Sequence, residues 1–255
     1  MPFQPIESEK LSQSVIRQVE LLILRGILLP GDKLPPEREL AEKLSVSRPS
    51  LREALADLQE RGLLVSKQGA GVYVADVLGS AFSDALIGLF STNTEALFDA
   101  ISFRRDIEGL AAERAARSGS PSDLAVVDRI FTKMEAAHND RDAEREARLD
   151  AEFHLAIVEA GHNIIMLHMM RSMYDLLKRG VFYNRQVIFE HRNTRVALLD
   201  QHRAINRAIQ ARDPAEARQA VEAHLNFVEQ SLRDKVQSQQ NEQIARARLE
   251  QQAAR

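Results

Sequence analysis

Apolar residues recur along this chain at helical spacing, in runs separated by clusters of Gly, Pro, Ser and Asp. Leu11, Val15, Val19, Leu22 and Ile23 mark a first helix, which Gly26 and Pro30-Gly31 bring to an end. After Pro35-Pro36 comes a short helical stretch, Glu37 to Leu44, and Ser45-Val46-Ser47 separates it from a second, Arg48 to Arg61. Ser47 suits the N-cap of that second helix, because its hydroxyl accepts a bond from an orphan backbone N–H; Gly62 suits the position just past its end. Leu63 to Ser66 and Val72 to Ala75 are β-prone runs around Gln68-Gly69-Ala70-Gly71, which reads as a hairpin turn. Beyond Asp76 the β signal disappears. The periodicity predicts helices over 94–118, 121–139, 142–160, 163–178, 194–211 and 214–235. Two of these have clear starts. Ser120-Pro121-Ser122-Asp123 supplies a cap, a proline at the first helical position and an acid at the third, and Asp213-Pro214-Ala215-Glu216 repeats the arrangement. Residues 237–255 are rich in Gln and Arg with few large apolar side chains, and predict a frayed helix or disordered tail.

The expected fold class is therefore mainly α, in two domains. Residues 1–76 form a winged helix-turn-helix, α with a small β-hairpin; residues 77–236 form an all-α helical bundle; 237–255 form a polar tail. Composition agrees: the chain of 255 residues is 44% hydrophobic, 28% charged and only 5% aromatic, and good helix formers dominate. With no cysteine, a disulfide framework, a Cys-ligated zinc finger and a thiol nucleophile are excluded. The polar start, Met1 to Lys10, shows no signal-peptide pattern, and no apolar run approaches bilayer length, so a cytoplasmic location without membrane partners is expected.

In a winged helix-turn-helix the second motif helix enters a major groove. Arg48 and Arg52, one turn apart, share one face of that helix, while Leu51, Leu55 and Leu58 stripe another. Arginine bonds guanine O6 and N7 at two points. Ser47 and Ser50 can add phosphate or base contacts, Arg38 can fix the backbone, and the tip at Gln68 and Gly69 can reach the minor groove. Two solvated surface arginines are the bland reading of this pattern. Against DNA binding, residues 1–76 carry 10 Lys+Arg and 11 Asp+Glu, so distribution must do what net charge does not.

In the second domain the signal is polar residues on apolar stripes. Asp150 and His154 share a helix face with Ile157; His202 lies in the stripe Leu198, His202, Ile205, Ile209; His224 lies beside Val221, Leu225 and Val228. One carboxylate and three imidazoles from three helices form a ligand set suited to a divalent metal, zinc first, with Mn, Ni or Fe also suited. The same residues admit three hydrogen-bonded core histidines, and Asp-x-x-x-His is common on helices by chance. A metal-dependent hydrolase or isomerase built on this site is the alternative function, although no further catalytic partner stands out beyond Glu159 and His162. His138, His162, His168 and His191 read as ordinary core or rim residues.

Two runs carry a family resemblance. Pro30-Gly31-Asp32-Lys33-Leu34-Pro35-Pro36-Glu37-Arg38-Glu39-Leu40-Ala41 and Val46-Ser47-Arg48-Pro49-Ser50-Leu51-Arg52-Glu53-Ala54-Leu55, followed by Gly62-Leu63-Leu64 and Gln68-Gly69-Ala70-Gly71-Val72-Tyr73-Val74, resemble the GntR family of bacterial transcription regulators. The resemblance implies operator binding by Arg38, Ser47, Arg48, Ser50 and Arg52, with Gln68 and Gly69 at the wing. The helical domain resembles the FCD effector-binding and dimerisation domain of the FadR subgroup, whose metal-binding members carry an Asp-x-x-x-His and two later histidines, matched by Asp150, His154, His202 and His224. Arg104, with Glu108 one turn later, matches a cavity-facing arginine suited to an effector carboxylate, although an intrahelical Arg104–Glu108 pair explains it equally.

Val46 to Ala54, Phe153 to Asn163 and Asp175 to Arg179 resemble the lactate- or pyruvate-responsive LldR/PdhR branch. The implied protein is a regulator rather than an enzyme. It is expected to repress as a homodimer on a palindromic operator, controlled by lactate, pyruvate or glycolate; a fatty-acyl-responsive regulator is a further alternative.

Overall fold

The computed structural model describes residues 10–67, 69–76, 84–178 and 192–253. They fall into two compact units, Met1–Ala81 and Phe82–Arg255. The first unit runs α1 (Leu11–Leu24), α2 (Glu37–Leu44), α3 (Arg48–Glu60), β1 (Leu64–Lys67) and β2 (Gly71–Val74). The α1 stripe is Val15, Ile16 and Val19, with Ser12 beside them; Leu11, expected in it, is exposed, and Ser12 takes the buried position in the first turn. These residues meet Leu51, Ala54, Leu55 and Leu58 of α3 together with Leu64 and Val74 of the hairpin. Each Val, Leu or Ile side chain so buried contributes roughly 1.5–3 kcal/mol.

The ends of α3 follow from local chemistry. Ser47 Oγ caps the helix by accepting the Ser50 N–H at 3.2 Å, and Pro49 sits in the first turn, where its missing donor costs nothing. At the other end the Gly62 N–H reaches the Gln59 carbonyl and the Leu63 N–H the Leu58 carbonyl, a double closure that needs the left-handed φ of +73° that Gly62 provides. In the hairpin Leu64 opposes Val74 and Lys67 opposes Gly71. Leu34 N–H bonds Val72 carbonyl and Gly31 N–H bonds Val74 carbonyl, so the segment after α1 covers the outer edge of β2.

The second unit is all helix among its described residues: α4 (Asp84–Thr92), α5 (Thr94–Ser118), α6 (Pro121–Asn139), α7 (Ala143–Ala160), α8 (Ile164–Lys178), α9 (Arg192–Gln210) and α10 (Pro214–Ala253). Ser120 and Asp123 close a reciprocal capping box at the start of α6, and Asp213 accepts the Glu216 N–H at the start of α10. Helix α5 packs along α10 and against α7; α9 packs on α6 and α10. Ala111, Ala112, Ala115 and Ala116 are buried on α5, small enough for neighbouring backbones to come close.

One expectation is revised and another narrowed. Helix α4 lies where none was predicted, because its short run Ala85 to Phe90 is apolar throughout and shows no helical period. Helix α10 runs past 235 to Ala253, the helical one of the two alternatives expected for the tail: no Gly or Pro interrupts it, and pairs such as Arg246 with Glu242 support its exposed turns. No described helix is long and apolar enough to cross a membrane.

Candidate metal centre and nucleic-acid interface

The candidate interface is a surface. Arg38, Ser47, Arg48 and Arg52 are exposed, Ser50 is partly so, and Gly69 at the wing tip is exposed with a φ of +72°. Gln68 lies outside the described residues. Ser47 Oγ lies 2.8 Å from Ser50 Oγ, so the two hydroxyls form one polar spot at the start of α3. Arg38 and Arg48 form no ion pair among the described residues, whereas Arg52 Nε donates to Glu37 Oε2 at 2.7 Å. On α3 Asp57 pairs with Arg61, which also reaches Glu20 of α1.

The candidate metal centre is the opposite case. Asp150 and His154 sit one turn apart on α7, and the fold brings them against His202 of α9 and His224 of α10. One donor atom from each lies within 4.8 Å of all the others, and all four residues are buried, the histidines at 1–2% exposure. His202 Nε2 is 3.1 Å from Asp150 Oδ1 and 3.2 Å from His154 Nε2; His154 Nε2 is 3.8 Å from the same carboxylate oxygen. Burial and the neighbouring His202 and His154 hold His224 well below the usual imidazole range, so it is neutral and offers a lone pair.

A second ring of residues orients these donors. His154 Nδ1 lies 2.7 Å from Glu108 Oε2 on α5. Burial pushes the Glu108 carboxyl up, yet the Arg104 charge and His154 outweigh it and bring it down to about 2, so Glu108 is ionised. An ionised carboxylate only accepts, so a His154 carrying its proton on Nδ1 would present Nε2 to the cluster. His224 Nδ1 lies 2.9 Å from Gln201 Oε1, with the same effect. Two imidazole lone pairs 3.2 Å apart repel unless a proton or cation lies between them. Three nitrogens and one oxygen at this spacing therefore fit a divalent metal, whose bonds to such donors are about 2.0–2.2 Å.

Arg104, expected to meet an effector, is buried at 2% exposure and is paired along its own helix: its Nε donates to Glu108 Oε1 at 2.6 Å. Tyr174 O–H donates to the same oxygen at 3.0 Å, and Arg104 Nη2 donates to the Tyr174 hydroxyl at 3.3 Å. The sequence pointed to Glu108 only as the partner of Arg104; its contact with His154 crosses between helices and has no local spacing to reveal it. Gln201 and Tyr174 were missed for the same reason. Of the remaining histidines, His162 pairs with Asp123 at 2.9 Å on the surface, His138 Nδ1 lies 3.6 Å from Glu146, and neither these nor His168 joins the cluster; His191 lies outside the described residues.

Comparison with known proteins supplies the frame for both sites. The FCD domain family matches residues 99–227, and the family described as bacterial regulatory proteins, gntR family, matches residues 11–74. The Glc operon transcriptional activator of Escherichia coli K12 is 35% identical over 231 residues, covering 89% of this chain and 91% of that protein. A second Escherichia coli K12 protein, the "Putative L-lactate dehydrogenase operon regulatory protein", is 37% identical over 228 residues, covering 88% and 87%. Among solved structures, Streptococcus agalactiae GntR aligns with a TM-score of 0.54 at 28% identity, covering 86% of this chain and 99% of that one.

Proposed function

Because this chain belongs to the gntR family of bacterial DNA-binding transcription regulators and carries their FCD domain, we propose that it is an operator-binding sensor of a small carboxylic acid held at a divalent metal. The matched relatives are regulators and not enzymes, which leaves the buried centre a sensing role. The observation that carries the reading is the packing of Asp150, His154, His202 and His224, with His154 and His224 each turned by a partner on its far nitrogen. Zinc is the first metal to test; manganese, nickel and iron suit the same donors. When bound, the metal supplies a Lewis-acidic position for a carboxylate and an adjacent oxygen of a 2-hydroxy or 2-keto acid.

The chain's own residues do the rest. Glu108 holds His154 in the coordinating tautomer and holds Arg104 beside it, so a carboxylate reaching the centre meets a guanidinium already desolvated. One relative is named for an L-lactate dehydrogenase operon, and L-lactate is a 2-hydroxy acid. In the first unit Arg48 and Arg52 read base edges, Arg38 holds the backbone, Ser47 and Ser50 add phosphate or base contacts, and the wing at Gly69 reaches the minor groove; Gln68 completes the wing in this reading. A homodimer on a palindrome doubles these contacts, which compensates for a domain without basic excess. The acid controls binding by favouring one domain arrangement, with a coupling of about 1–3 kcal/mol.

The test is the melting temperature of chelated protein, reloaded with zinc, manganese or nickel and then given L-lactate, D-lactate, pyruvate, glycolate or a long-chain acyl-CoA. Stabilisation by a small acid only in the metal-loaded form is expected. Stabilisation by acyl-CoA regardless of metal would favour a fatty-acyl sensor, and indifference to both metal and acids would make the histidines core residues.

A further inference from the structure

One acid stands where a DNA-binding surface should least tolerate it. Glu37 opens α2 beside Arg38, is 39% exposed, and accepts the Arg52 Nε–H at 2.7 Å across the turn of the helix-turn-helix. Near a polyanion an exposed carboxylate repels, and this domain, with 11 acids to 10 bases, has no positive excess to offset it. Exposed ion pairs stabilise folds little, and the first-turn position that favours an acid on α2 is shared by Glu39, so neither explains why Glu37 meets Arg52. Its geometry suggests another use. A guanidinium has a side edge that includes Nε and an end edge of two terminal nitrogens. With Nε engaged by Glu37, the end edge of Arg52 remains for the two-point bond to guanine O6 and N7. The long side chain is also spared part of the rotamer freedom it would otherwise lose on binding.

We infer that Glu37 is a positioning residue for base readout: it aims Arg52 and gives up general DNA affinity for selectivity. The inference rests on the operator-binding reading above. It predicts opposite signs for two observables, which a merely structural residue would not produce. Glu39, on the same helix and paired with Lys43 at 2.7 Å, carries the same charge with no ion pair to α3 among the described residues, and serves as the control.

Full-length wild type and the variants Glu37→Gln, Glu39→Gln and Arg52→Ala would each select from a pool of random DNA duplexes. Affinity would then be measured for the enriched duplex and for its shuffled version. For Glu37→Gln, affinity for shuffled DNA should rise a few-fold, while preference at the base that Arg52→Ala also flattens should fall about tenfold. Glu39→Gln should keep the wild-type preference. Adding Glu37→Gln to Arg52→Ala should flatten that base no further. A Glu37→Gln protein that enriches the same site with wild-type sharpness would overturn the inference while leaving operator binding intact. A wild type that enriches no sequence would overturn the operator reading itself, and the role of Glu37 with it.

Discussion

The two units place their chemistry on opposite sides of the solvent boundary. The first exposes Arg38, Arg48 and Arg52 over a core of aliphatic side chains, so its candidate contacts and its stability draw on different residues. The second buries Asp150, His154, His202 and His224 among Phe153, Ile157, Ile205 and Leu225, so its candidate chemistry and its folding draw on the same ones. A buried carboxylate and three buried imidazoles are costly without partners, and a ligand bound there acts on the whole unit. Surface chemistry can change with little effect on fold; core chemistry cannot.

The sharpest way to break that contrast is the double variant His154→Ala, His202→Ala. At a metal concentration a thousandfold above Kd the wild type should gain about 4 kcal/mol of stability. The variant should show no zinc-dependent rise in melting temperature, and a rise equal to wild type would place the metal elsewhere. Glu108→Gln keeps the shape of the site but removes the charge behind His154; metal affinity by calorimetric titration should fall about 10–100-fold. Unchanged affinity would reduce Glu108 to a partner of Arg104. In the first unit, Arg48→Ala and Arg52→Ala should each cost about 1–3 kcal/mol of operator binding. Their melting curves and circular dichroism should match wild type, and a lost fold would put these arginines in the same class as the buried histidines. The smallest expected difference compares two caps. Ser47→Ala and Ser120→Ala should each cost about 1 kcal/mol of stability, but only Ser47→Ala should also weaken DNA binding; equal DNA affinity for both would confine Ser47 to capping.

What could be read from the sequence follows the range of each interaction. The capped ends of α3 and α6 were legible because Ser47, Gly62, Ser120 and Asp123 act within a few residues of themselves. Asp150 and His154 were legible as an inward pair because one helical turn separates them, and His202 and His224 because each interrupts an apolar stripe. Contacts that depend on how helices meet were not legible. Glu108 with His154, Gln201 with His224 and Glu37 with Arg52 join elements or faces whose approach no local spacing encodes. Helix α4 escaped because an apolar run of its length carries no period, and the late turns of α10 stayed open between helix and disorder because a polar surface carries no stripe.

That last helix has a consequence of its own. At 1.5 Å per residue the 40 residues of α10 span about 60 Å. His224 lies in its early turns, and from Gln237 to Gln252 every residue is exposed. The helix is thus a beam clamped at one end and free at the other. Amide exchange along it should grade from slow around Leu225 to fast past Gln237, and proteolysis of the free end should leave the four candidate metal donors in place.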